Sequence, residues 1–99
     1  MIRGTTPTLE FTLPFDTDII ADGYITFAQR GDVVIDKNIS ECTCEGTKIV
    51  LKLSQEETLK LKSRDFTEVQ IRAKMTSGDA VASNIIKVST DRILKEGVI

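Results

Sequence analysis

Leu9, Phe11, Leu13 and Phe15 alternate with Thr8, Glu10, Thr12 and Pro14, the spacing at which a pleated strand sends every second side chain to one face. A first strand with one apolar face follows. Pro14 lacks a ladder donor and confines that strand to an edge or an end. Asp16-Thr17-Asp18 then reads as a turn. Tyr24–Gln29 and Val33–Lys37, rich in β-branched and aromatic residues, flank Arg30-Gly31-Asp32 and predict a hairpin. Cys44–Thr47 reads as a second turn, followed by a strand over Lys48–Leu53 with Ile49, Leu51 and Leu53 inward.

Ser54 followed by Glu57 fits a capping box, in which each side chain satisfies a free backbone donor at a helix start. With Leu59 and Leu61 after it, one short helical turn near residues 55–61 should bridge two sheets. Glu68–Met75 alternates most cleanly: Val69, Ile71, Ala73 and Met75 on one side, Glu68, Gln70, Arg72 and Lys74 on the other. Such a strand is half-buried, with one face in water. Thr76–Asp79 supplies a turn and Ala80–Ser89 the last long strand, where Asn84, Ile85 and Ile86 break the alternation and predict a bulge. About 6–8 short strands with turn signals between them predict an all-β, immunoglobulin-like antiparallel β-sandwich. It fills residues 1–99 as a single domain, with a small open barrel as the competing arrangement. The closing segment carries Ile93, Leu94, Val98 and Ile99, apolar residues that must dock on the domain's own sheet or on a neighbour. These four are the candidate assembly contacts.

Composition narrows the function classes. The chain has 99 residues, 40% hydrophobic and 28% charged, which suits one globular core. Thirteen basic residues against 15 acidic ones give a net charge of -2, and four Phe, one Tyr and no Trp make a poor base-stacking platform. Neither favours nucleic acid. No run approaches the roughly 20 apolar residues of a membrane helix or the pattern of a signal peptide, so no membrane partner and a cytoplasmic location are expected.

Candidate chemistry is sparse. The absence of His removes the common nucleophile-activating dyads and triads, and the dispersed glycines form no phosphate-binding loop. Asp16 with Asp18, and Glu56 with Glu57, lie where carboxylates cap backbone donors. Asp16–Asp18 lacks the later Gly and Glu of a calcium loop. Cys42 and Cys44, spaced C-x-C, are too few to close a structural zinc site and too close for an unstrained disulfide; reduced, incidental thiols are expected. Arg30-Gly31-Asp32 spells an integrin-read tripeptide but is more simply a turn whose Gly accepts positive φ. No catalytic residue, metal or cofactor is assigned, and the chain is not expected to be an enzyme.

Several segments carry a family resemblance: Ile2–Phe11, Tyr24–Gln29, Leu53–Leu59, Ala82–Ile86 and Ile93–Ile99. Through them the chain resembles small prophage-encoded tail or baseplate-region proteins of Gram-positive bacteria with a single immunoglobulin-like domain. The resemblance implies a virion structural part that packs against other tail or baseplate proteins as a homo-oligomer or hetero-complex. Its place would be the bacterial cytoplasm during assembly and then the virion. It carries over no functional residue. An alternative is a free-standing module binding carbohydrate or a host protein, which a concave loop-end pocket with exposed Tyr24 or Phe66 would favour. A further alternative, a carboxylate-based hydrolase, requires two acids facing across a cleft.

Overall fold

The structure is a computed structural model describing residues 1–99. Eight strands and one short helix follow in the order β1 (Thr8–Thr12), β2 (Ile20–Gln29), β3 (Asp32–Asn38), β4 (Thr43–Glu45), β5 (Lys48–Lys52), α1 (Gln55–Leu59), β6 (Phe66–Met75), β7 (Ala80–Ala82) and β8 (Ile86–Ser89). Short 3-10 turns at Thr17–Ile19 and Ile39–Glu41 join β1 to β2 and β3 to β4. No helix is long and apolar enough to cross a membrane.

All strand pairs are antiparallel. One sheet runs β1-β5-β4 and the other β3-β2-β6, with β7 and β8 along the far side of β6. Sequence order maps these sheets onto the B-E-D and C′-C-F-G arrangement of an immunoglobulin sandwich. The usual first strand shrinks to one parallel bridge, Ile2 with Asp91. Two separate sheets set the open-barrel arrangement aside.

The alternating positions supply the core. Ile25 and Phe27 of β2, Ile35 of β3 and Val69 and Ile71 of β6 meet Ile49, Leu51 and Leu53 from the facing side. Ile25, Phe27, Ile49 and Leu53 are wholly buried. The two long central strands, β2 and β6, run in register from Asp22 opposite Lys74 to Ala28 opposite Glu68. Their close approach needs Gly23, where an added Cβ would stand 2.8 Å from the Arg72 carbonyl oxygen.

Several boundaries move for identifiable reasons. β1 ends at Thr12, because Leu13 donates its last amide to the Thr47 carbonyl (2.8 Å) and Pro14 has none to give. The predicted Cys44–Thr47 turn is instead strand β4 plus a two-residue turn, since Glu45 pairs with Lys48 across Gly46-Thr47. The Arg30-Gly31 loop joins Gln29 to its partner Asp32 with both residues at positive φ, 51° and 83°, as a type I′ hairpin turn requires. The expected last long strand over Ala80–Ser89 is instead two strands, β7 ending at Ala82 and β8 starting at Ile86, with the break at Asn84 where the alternation is lost. Arg72 pairs with Ala82 and Val69 with Ile86, so three residues oppose two. Ser83 fills the gap: its hydroxyl accepts from the Ile71 amide at 3.0 Å.

One flank of the sandwich stays open. The inward residues of β5 are buried, but Leu9 and Phe11 of β1, and Leu13 just beyond it, are only half-buried, because no strand lies outside β1. Leu13, Phe15, Ile71, Ala73 and Val81 line an apolar slot of about 270 Å³ there.

Candidate functional site

The C-terminal segment folds back over α1 and the first residues of the chain. Ile93 is half-buried. Its Cδ1 lies 2.9 Å from where a Cβ on Gly4 would stand, with Leu59 at 3.4 Å from the same point. Glu96 accepts a 2.7 Å ion-paired hydrogen bond from Arg3, and the Ile99 amide donates to Gln55 Oε1 at 2.9 Å. The apolar side chains gain no such cover: Leu94 is 93%, Val98 54% and Ile99 95% exposed. Of the four candidate assembly contacts, Ile93 faces its own domain and Leu94, Val98 and Ile99 face solvent.

Arg3, which no sequence pattern singles out, holds this end together. Besides Glu96, its guanidinium donates to the carbonyls of Leu61 (2.6 Å) and Leu59 (3.0 Å), acceptors that a helix terminus otherwise leaves free. Residues 1–3 also zip along the last strand's continuation. The Met1 nitrogen donates to the Ser89 carbonyl, the Asp91 amide to the Met1 carbonyl and the Arg3 amide to the Asp91 carbonyl.

Of the carboxylates singled out by sequence, Asp16 and Glu57 cap backbone donors, while Asp18 and Glu56 lie in the adjoining first turns without a capping bond. Asp16 accepts from the Asp18 amide at 3.0 Å. Ser54 and Glu57 form the expected box, the Glu57 amide donating to Ser54 Oγ (3.1 Å) and the Ser54 amide to Glu57 Oε1 (2.9 Å). Asn38 and Glu41 form a second box of the same spacing. That spacing was readable in Asn38-Ile39-Ser40-Glu41, although Asn in place of Ser or Thr weakens the signature. Lys37 joins the two boxes, reaching Glu57 Oε2 at 2.9 Å and Glu41 Oε1 at 3.5 Å.

Within the Lys37–Glu57 pair both members are shifted. The hydrogen bond to Glu57 raises the Lys37 pKa against its partial desolvation, with help from both glutamate charges. Desolvation pushes Glu57 upward, but the Lys37 and Ser54 hydrogen bonds outweigh it and the net shift is downward. The Glu57 contribution to stability is therefore present above its ordinary pKa of 4.5 and lost as pH falls through the lower folded value. The Lys37 contribution is complete below 10.5 and lost as pH rises through the higher folded value. A double-mutant cycle of Lys37→Met and Glu57→Gln should give a coupling of about 1 kcal/mol. That coupling should stay flat through neutral pH and vanish at both extremes in urea titrations. A coupling that grows on acidification would contradict the assignment.

Cys42 and Cys44 are free thiols. Cys42 packs against the core and donates to the Asn38 carbonyl at 3.7 Å. Burial pushes its pKa up, reinforced by Cys44 and Glu41, which opposes thiolate chemistry. No group of three or more Cys, Asp or Glu side chains is placed to hold a metal ion. Comparison with protein-family models, curated protein sequences and solved structures finds no match for this chain.

Proposed function

We propose that this domain is a structural protein of a phage or prophage tail or baseplate, acting by packing against other proteins. The observation that carries the reading is the C-terminal segment. It is fastened at Arg3–Glu96 and Gln55–Ile99, yet turns Leu94 and Ile99 almost wholly into water. Fastened apolar side chains at the surface resemble an interface awaiting its partner. The open β1 edge supports the same reading, because an unpaired edge beside an apolar slot accepts an added strand. The sequence resemblance supplies the biological setting.

Leu94→Ser with Ile99→Ser tests this while sparing Ile93, Glu96 and the Ile99 amide. The double variant should melt at the wild-type temperature but fail to assemble in light-scattering mass measurements and in co-purification with the products of neighbouring genes. Wild-type assembly by the variant would remove the segment from the interface. A genomic neighbourhood without phage structural genes would remove the tail assignment.

A further inference from the structure

We propose that the recess beside Phe66 binds an anionic sugar, through a phosphate or carboxylate carried on the sugar ring. The recess, a shallow depression of about 320 Å³ open to solvent, lies where the α1–β6 connection meets the end of β8. Arg64 and Arg92 stand on its walls. Both are exposed, and neither enters an ion pair or donates a side-chain hydrogen bond within the molecule. Asp65, between Arg64 and Phe66, is engaged elsewhere, its Oδ1 taking two hydrogen bonds from Arg30 at 3.1 and 2.9 Å. That leaves the Asp91 carboxylate as the one lining acid without a side-chain partner.

Two further features separate this recess from an ordinary solvated surface. Phe66 is 65% exposed on the outward face of β6, opposite Ser89, so its ring is uncovered where burial would stabilise it. Arg64 has φ +68°, a left-handed conformation unfavourable for a long side chain. Its amide donates to the Thr90 carbonyl at 3.2 Å and fixes the turn. Asn would sit there more easily, so the turn holds a guanidinium at a conformational cost.

The chemistry selects the ligand. Two guanidiniums match the oxygens of a phosphate or carboxylate. A single aromatic ring among otherwise polar walls offers a flat apolar face, and the Ser89 hydroxyl and Asp91 carboxylate can hydrogen-bond ring hydroxyls. An extended acidic peptide would ask for a longer apolar groove than one Phe provides. This inference stands apart from the assembly reading, because neither Leu94 nor Ile99 lines the recess.

Amide chemical-shift titrations of the full chain test it. Glucose 6-phosphate should move the Arg64, Phe66, Ser89 and Arg92 resonances saturably, binding at least about tenfold more tightly than glucose or inorganic phosphate. Arg64→Asn, which suits the left-handed turn and should not lower the melting temperature, is expected to weaken binding about tenfold. Arg92→Gln should do the same, and Phe66→Ser should reduce the affinity to that of inorganic phosphate. Tighter binding of an oligogalacturonate would mark a charged sugar within a polymer as the ligand, and tighter binding of glucose 6-phosphate a free sugar phosphate. The proposal is overturned if neither anionic sugar moves these resonances, if inorganic phosphate binds equally well, if a hexaglutamate peptide binds more tightly, or if the variants bind like wild type.

Discussion

Replacing Phe27 by alanine is expected to destabilise the domain by about 3–5 kcal/mol, the range for removing a buried aromatic ring. Phe27 is wholly buried and sits mid-strand on β2, paired with Ile35 on one side and Val69 on the other. It packs in one core with the wholly or nearly buried Ile49 and Leu51 of the smaller sheet and Leu53 just beyond β5. Closely packed neighbours on both sheets cannot collapse into the vacated volume without shifting a strand, so the cavity persists and its cost adds to the lost burial. A domain of this size is stable by only about 5–15 kcal/mol, and the melting temperature should fall by roughly 12–40 °C. Urea denaturation is the measurement, and a loss below about 1 kcal/mol would place Phe27 outside the core.

Gln29→Leu is the second large effect, and its direction is informative. Gln29 lies one alternation beyond Phe27 on the same face and is only 5% exposed. Its amide donates to the Lys62 carbonyl (2.9 Å) and to Thr67 Oγ1 (3.3 Å), while its carbonyl oxygen accepts from the Lys62 amide (2.8 Å). Thr67 Oγ1 pairs in turn with Thr90 Oγ1 at 2.6 Å. No buried side-chain polar atom in the molecule is left without a partner. A leucine adds apolar burial but removes the partner of the two part-buried Lys62 backbone groups, and the full cost of about 1–3 kcal/mol for an unpaired group applies only where water cannot reach it. A net loss of about 1–2 kcal/mol is expected. If Gln29→Leu stabilises instead, the polar cluster is incidental. Thr90 also lines the recess beside Phe66, so the same substitution should loosen that recess, read as faster amide exchange at Arg64, whose N–H is bonded to the Thr90 carbonyl.

Local pattern carried most of the strands. Period two at Leu9–Leu13, Ile49–Leu53 and Val69–Ala73 placed the inward faces correctly, because pleating forces alternation whatever the partner strand. The Ser54–Glu57 box and an irregularity at Asn84 were equally legible, since capping and a lost alternation are written within a few residues, although the irregularity splits the last strand in two where a bulge within one strand was expected. β4 was missed because Thr43-Cys44-Glu45 is short and exposed throughout, and only the register with Lys48–Val50 makes it a strand. The inward Gln29 was legible by parity with Ile25 and Phe27, although its polarity disguised it.

The recess and the fastened end are another matter. Arg3 lies 56 and 58 residues from its two carbonyl acceptors and 93 from Glu96, and Arg64 lies 28 from Arg92. The sequence by itself determined an all-β chain, its inward faces and its caps, because these depend on dihedral preference and short-range alternation. Only the tertiary structure decided that Ile93 turns inward while Leu94 and Ile99 turn out, that the β1 flank stays open, and that two arginines flank one exposed ring. Those outcomes depend on which distant segments the two packed sheets bring within a few ångströms of each other, and spacing along the chain does not encode that.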